Sequence, residues 1–127
     1  MAPLVSDFKC EVIVPERTTA LHDVVSRWSD SQVELPALVV KPDTESDVLD
    51  AIAYAKSHGL VLIPTGGKHG SFVPIDHRTL YLDLSKFNKV TLDKSSGLTH
   101  IEGAALVGDV VKTLASEGYY TPFPNSG

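Results

Sequence analysis

The passage that most constrains this chain runs from a short apolar segment into a glycine-rich loop, Val61-Leu62-Ile63-Pro64-Thr65-Gly66-Gly67-Lys68-His69-Gly70-Ser71. Val61 to Ile63 reads as a buried strand. Pro64 has no N–H to give to a ladder, so the strand is expected to stop there. Three glycines then fall within the five residues Gly66 to Gly70. Lacking a Cβ, they permit positive φ and let a ligand approach the backbone. Successive amides in such a turn can converge on an anion, most often a phosphate. Lys68 adds a point charge and His69 a titratable nucleophile. Taken alone, such a loop is more often an ordinary surface turn, so its flanking elements have to decide.

Those elements form a βαβ unit. Pro36-Ala37-Leu38-Val39-Val40-Lys41-Pro42 is a strand bracketed by prolines. Asp43 to Asp47 opens a helix, with Thr44 and Asp47 at N-cap and N3 spacing, a carboxylate form of the capping box. Val48, Ile52 and Ala55 share one face, with Leu49 and Ala53 beside them. Gly59 is placed to end the helix in the left-handed conformation. Strand, helix and strand within about thirty residues imply two parallel strands with a right-handed crossover. The glycine loop therefore leaves the carboxyl end of a parallel strand, where open α/β sheets bind ligands. That placement raises the phosphate reading above the bland one.

Before this unit, Cys10 to Val14 is a strand closed by Pro15. Thr18 or Thr19 is the candidate N-cap of a helix whose Leu21, Val24, Val25 and Trp28 recur at one-face spacing. Trp28 is expected in the core and Cys10 is expected to be a small buried residue. Ser29 to Leu35 is a polar connection. After the unit, Thr79 to Leu84 is a strand and Ser85 to Asn88 a turn. Lys89 to Asp93 and Leu98 to Glu102 pair as a hairpin through Lys94-Ser95-Ser96-Gly97. A last helix follows Gly103-Ala104-Ala105, with Val107, Val110, Val111 and Leu114 inward and Gly118 at its end. Tyr119 to Gly127 has no periodic pattern. The fold class is α+β: an N-terminal βαβ lobe with a small parallel sheet, then the start of a second, antiparallel β lobe with a helix.

Composition removes several function classes. A chain of 127 residues with 43% hydrophobic and 21% charged content fits one soluble globular domain. The net charge of −5 and the scattered basic residues argue against nucleic-acid binding, which needs a clustered basic face. The single cysteine, Cys10, rules out an internal disulfide and a multi-cysteine zinc site. His22, His58, His77 and His100 lie on different elements without ligand spacing, so no metal site is expected. Met1 to Lys9 lacks the pattern of a signal peptide. No apolar run nears the ~20 residues of a membrane span. The expectation is a cytoplasmic protein. Tyr81, Tyr119 and Tyr120 read as packing residues, since nothing pairs them with a base.

Four segments carry a resemblance: Leu35 to Pro42 with its following helix, Pro64 to His69, Leu82-Asp83-Leu84-Ser85-Lys86-Phe87-Asn88-Lys89-Val90, and Gly103-Ala104-Ala105-Leu106-Val107-Gly108-Asp109-Val110. In order and spacing they resemble the FAD-binding domain of the vanillyl-alcohol oxidase and p-cresol methylhydroxylase superfamily, nearest to the berberine bridge enzyme-like FAD-linked oxidases. The resemblance covers roughly Trp28 to Gly127. It implies FAD as cofactor, with Pro64, Thr65, Gly66, Gly67, Lys68, His69, Gly70 and Ser71 wrapping its pyrophosphate. It also implies that a histidine after the glycine pair can be joined covalently to the flavin. Here Lys68 stands between the pair and His69, a departure that leaves covalent attachment open. Asp83-Leu84-Ser85 is expected to be a structural turn near the cofactor.

In that family the domain continues into a second glycine-rich segment and a substrate domain bearing the catalytic base. Set against this, residues 1–34 are expected to be a lead-in strand and helix, and 35–127 a partial FAD-binding domain truncated at its C-terminal end. Three readings stay open. One is the FAD-binding portion of a flavin-dependent oxidoreductase, without catalytic competence alone. Another is a non-catalytic homologue acting as a binding or interaction module. The third is an α/β domain binding some other phosphorylated ligand. Self-association, or a partner chain supplying the missing half, is expected to accompany the exposed edge of the second lobe.

Overall fold

The computed structural model describes residues 5–29, 31–70 and 72–123. After a short 3₁₀ turn, Val5–Asp7, come β1 (Glu11–Ile13), α1 (Leu21–Val24), β2 (Leu38–Lys41), α2 (Glu45–His58), β3 (Val61–Thr65) and β4 (Thr79–Asp83). The hairpin β5 (Val90–Asp93) and β6 (Leu98–Ile101) and the helix α3 (Val107–Ser116) complete the order. The expected α+β arrangement of two lobes is present, a four-stranded mixed sheet followed by a two-stranded antiparallel one.

In the larger sheet the order is β1-β2-β4-β3. β1 is antiparallel to β2, whereas β2 and β3 are both parallel to β4. The strands of the βαβ unit are thus parallel, but β4 lies between them. Insertion of β4 makes β3 an edge, and this corrects the expectation of a buried strand: Ile63 is buried, Leu62 half-buried and Val61 exposed. It also explains why the strand runs through Pro64 instead of stopping there. Val61 N–H donates to the Arg78 carbonyl and the Thr65 carbonyl accepts from Leu84 N–H, so odd-numbered residues face β4. Pro64 faces the open edge, where its missing donor costs no ladder bond.

The central strands are buried on both sides, which is why Leu38-Val39-Val40 is a continuous apolar run. Leu38, Val40, Leu80 and Leu82 pack under Ala51, Tyr54 and Ala55 of α2. Val39, Ile63 and Tyr81 face the other way, against Val24, Val25 and Ile75. Strand β1 and the Val24-Val25 pair therefore tie residues before position 35 into the same core.

The start and end of α2 follow the expected chemistry. Thr44 Oγ1 accepts from Asp47 N–H at 3.2 Å and Asp47 Oδ2 accepts from Thr44 N–H at 2.8 Å. Gly59 ends the helix at φ 65°. Its buried face is different from the expected one, however. Asp47, Ala51, Tyr54 and Ala55 are buried, whereas Ile52 and Leu49 are exposed. The stripe is set by where Tyr54 lies, packed on Phe8 with its ring centroid 5.0 Å away and stacked on His58 at 3.9 Å.

Two more expectations are corrected at the flanks. Helix α1 is a single turn, because Val25 leaves it at φ −126° and ψ 127°, and Ala20, not Thr18 or Thr19, precedes it without a side-chain cap. Thr19 Oγ1 instead accepts from Glu16 N–H. With the helix ended, Trp28 does not share the face of Val24 and Val25 and is 80% exposed. In α3, Val110 and Leu114 are buried but Val107 and Val111 are exposed, since its main contact among the described elements is with β5 of the hairpin. Cys10 is half-buried against the α2 core, and burial, with the Asp47 carboxylate nearby, pushes its thiol pKa up. Tyr81 is buried, Tyr119 half-buried and Tyr120 exposed, so packing describes the first two only.

Candidate functional site

The loop 66–70 leaves the carboxyl end of β3 beside the end of β4, where Thr65 is in register with Asp83. Along it opens a cavity of 560 Å³ bounded by β3, by every residue from Pro64 to Gly70, by Phe72 and Val73, and by Arg27 and Tyr81. Of the site residues expected from sequence, Pro64, Thr65, Gly66, Gly67, Lys68, His69 and Gly70 all line this one cavity. Ser71 lies outside the described residues.

The conformation of the loop differs from the expectation in one respect. Gly66, Gly67 and Gly70 do not use positive φ; Lys68 does, at 66°. The left-handed turn falls on the residue that separates the glycine pair from His69. The glycines serve close approach instead. A Cβ on Gly66 would stand 3.1 Å from the Gly103 carbonyl oxygen and 3.3 Å from Ala104 Cα. The turn before α3 is thereby pressed onto the glycine loop, and it is fixed there by Ala104 N–H donating to the Phe87 carbonyl at 2.8 Å. A Cβ on Gly67 would meet the His69 ring, with Cδ2 at 3.1 Å. His69 itself is exposed.

Among the described residues, no protein acceptor engages the amides of Gly66 to Gly70. The loop therefore presents N–H groups without internal partners, a requirement for an anion nest. The charge of the lining agrees. Arg27 and Lys68 are its permanent cations, and no Asp or Glu is among the described lining residues, in a chain whose net charge is −5. The rest of the wall is largely apolar, from Val61, Ile63, Pro64, Phe72 and Val73. An apolar cavity with one cationic, donor-rich side suits a flat ring system carrying a phosphate group.

Sequence reading missed Arg27, Phe72, Val73 and Tyr81. Periodicity and motif spacing give no signal for the first three. They reach the cavity through contacts made between distant segments: Arg27 Nη1 donates to the Val73 carbonyl at 2.7 Å and Tyr81 Oη to the Ser26 carbonyl at 3.0 Å. Asp83, the last residue of β4, holds the turn that follows by accepting from Ser85 N–H at 2.9 Å. Among the described residues, no three His, Cys, Asp or Glu side chains are grouped to hold a metal ion, and no helix is long and apolar enough to cross a membrane.

The chain is similar in sequence and fold to known proteins. The FAD-linked oxidoreductase hasG of Aspergillus fumigatus is 32% identical over 107 residues, covering 84% of this chain and 23% of its own length. The (R)-6-hydroxynicotine oxidase of Paenarthrobacter nicotinovorans is 26% identical over 109 residues, covering 85% of this chain and 24% of its own. This chain thus spans about a quarter of the length of these relatives. In fold it is similar to the crystal structure of 6-hydroxy-D-nicotine oxidase from Arthrobacter nicotinovorans, with a TM-score of 0.75 at 24% identity over 87% of this chain and 24% of that one. Physcomitrella patens BBE-like 1 gives a TM-score of 0.73 at 19% identity, over 89% and 25% of the two chains. The family model of the FAD binding domain matches residues 36–127. With that match over most of its length, the chain belongs to the FAD binding domain family, with berberine bridge enzyme-like proteins among its structural relatives.

Proposed function

We propose that the cavity is part of the FAD site of a flavin-dependent oxidoreductase, and that residues 64–71 hold the cofactor's pyrophosphate. Residues 35–127 form the cofactor-binding unit in this reading, and 1–34 lead into it. One observation carries it: a loop whose amides have no acceptor among the described residues, bordering a cavity with no Asp or Glu in its described lining, opens at the carboxyl end of a parallel strand. When bound, FAD would accept a hydride from an alcohol or amine-like substrate. The chain's own residues bind and orient. Backbone amides donate to phosphate oxygens, the Lys68 ammonium offsets their charge, and Gly66 lets the turn before α3 close against the loop.

Turnover is not assigned to these 127 residues. Tyr81, the phenol nearest the cavity, is buried and its hydroxyl donates to Ser26, so it has no free role as an acid or base. A second reading, an interaction module, is favoured by the apolar side chains of Leu98, Ile101, Val107 and Val111 at the surface of the hairpin and α3.

Trp28 offers the test. It is the chain's single tryptophan, and its backbone N–H donates to the Lys68 carbonyl at 3.0 Å. Flavin in the cavity should quench its emission. FAD titration is expected to give saturable quenching that Gly66→Val removes while the far-UV spectrum stays that of a folded chain. Unchanged emission up to millimolar FAD would refute the reading.

A further inference from the structure

We infer that Arg27 is a second anchor for the cofactor's phosphates, supplied from outside the segment that matches the family. The inference rests on the cofactor reading above and adds to it a residue that no loop motif contains.

Three hydrogen bonds fix residues 26–28 against the site. The Ser26 carbonyl accepts from Tyr81 Oη on β4, Trp28 N–H donates to the Lys68 carbonyl in the glycine loop, and Arg27 Nη1 donates to the Val73 carbonyl beyond it. The guanidinium is thus held at the cavity wall before any ligand arrives, and it spends little rotamer freedom on binding. A guanidinium carries five N–H donors in a planar fork. Among the described residues Arg27 has one hydrogen-bond acceptor, the Val73 carbonyl, and no carboxylate pairs with it. A half-buried cation beside apolar walls, with donors to spare and no counter-charge among the described residues, is favourable only if an anion or water completes it. A phosphate matches the fork in shape and charge. The unengaged amides of the glycine loop border the same cavity, so both would grip one diphosphate.

The bland alternative is that Arg27 merely straps Val73 in place. Binding of FAD, ADP and riboflavin to the 127-residue chain, followed through Trp28, separates the two. Arg27→Gln should weaken FAD and ADP about tenfold, the scale of one charge-assisted hydrogen bond, and leave riboflavin, which has no phosphate, unchanged. Arg27→Lys keeps a donor for Val73 and should melt with the wild type, yet lose FAD affinity severalfold because the fork is gone. Equal losses for riboflavin and FAD, or unchanged FAD affinity in either variant, would overturn the inference alone. A wild-type chain that binds neither FAD nor ADP would overturn the cofactor reading, and the inference with it.

Discussion

A Cβ placed on Gly66 would stand 3.1 Å from the carbonyl oxygen of Gly103. Two segments 37 positions apart, each glycine-led, meet there backbone to backbone. Neither atom belongs to a flexible side chain, so the contact cannot be relieved by a rotamer change. Gly66→Val should therefore lower stability by about 1–3 kcal/mol through overpacking, and it should remove FAD affinity. Gly67→Val meets only the His69 ring, which can turn, so it should cost less stability but still hinder approach to the loop. Gly70→Ala, with nothing within 4 Å, is the control for stability. Urea unfolding and FAD titration of the three variants check the order; unchanged affinity in both valine variants would sink it.

Lys68 pays for the turn of the loop with its backbone. At φ 66° an L-residue with a Cβ is disfavoured by about 1 kcal/mol relative to glycine. Lys68→Gly should relieve this and raise the melting temperature by a few degrees. It also removes a cation from the cavity, so FAD affinity should fall although stability rises. Calorimetry and titration on one sample would show whether the two move in opposite directions.

The capping box makes an acid-sensitive start to α2. The Thr44 hydroxyl, followed by the backbone N–H groups of Thr44 and Asp43, holds the Asp47 carboxyl below its usual pKa. A depressed folded pKa contributes stability above the unfolded value of about 3.9, and that contribution is lost as pH falls through the folded value. Asp93 has the same sign in the hairpin turn, where hydrogen bonds from Ser95 and then Ser96 bring it to about 2. Stability should thus fall between about pH 4 and pH 2. Asp47→Asn and Asp93→Asn should each flatten that fall in thermal melts. Thr44→Ala should cost about 1 kcal/mol at neutral pH.

His69 is expected to touch the flavin without being bonded to it. Lys68, in the left-handed conformation, stands between the glycine pair and His69, a departure from the pattern of the flavin-linked histidine that the resemblance implies. Acid precipitation of flavin-loaded protein should release all the flavin. Yellow colour retained by the denatured chain, and lost in His69→Ala, would reverse the assignment.

The 127 residues by themselves should self-associate and show no turnover. Among the described residues the β5–β6 sheet has two strands, and Leu98, Ile101, Val107 and Val111 are exposed on it and on α3. Unpaired edges and apolar patches promote association. Sedimentation should detect species larger than a monomer, and Val111→Glu should reduce them. A monodisperse monomer that binds FAD tightly and reduces it with a substrate would refute this prediction.

Much of the secondary structure was legible because its causes are local. The Thr44–Asp47 box, Gly59 at φ 65° and Gly97 at φ 71° each act within a few residues. The hairpin was placed to within one residue at its outer ends for the same reason. The glycine loop and its position after a parallel strand were legible too, and all its described residues share one cavity. Tertiary structure decided the rest. That β4 enters between β2 and β3 exposes Val61 and admits Pro64 to a strand. Where Tyr54 lies turns Ile52 and Leu49 outward, and the early end of α1 leaves Trp28 on the surface beside Lys68. Arg27 reaches the cavity through bonds to segments forty or more residues away. Capping and turns close their hydrogen bonds within a few residues, so sequence fixes them. Burial and the walls of a cavity depend on which distant surfaces meet, and no local pattern encodes that.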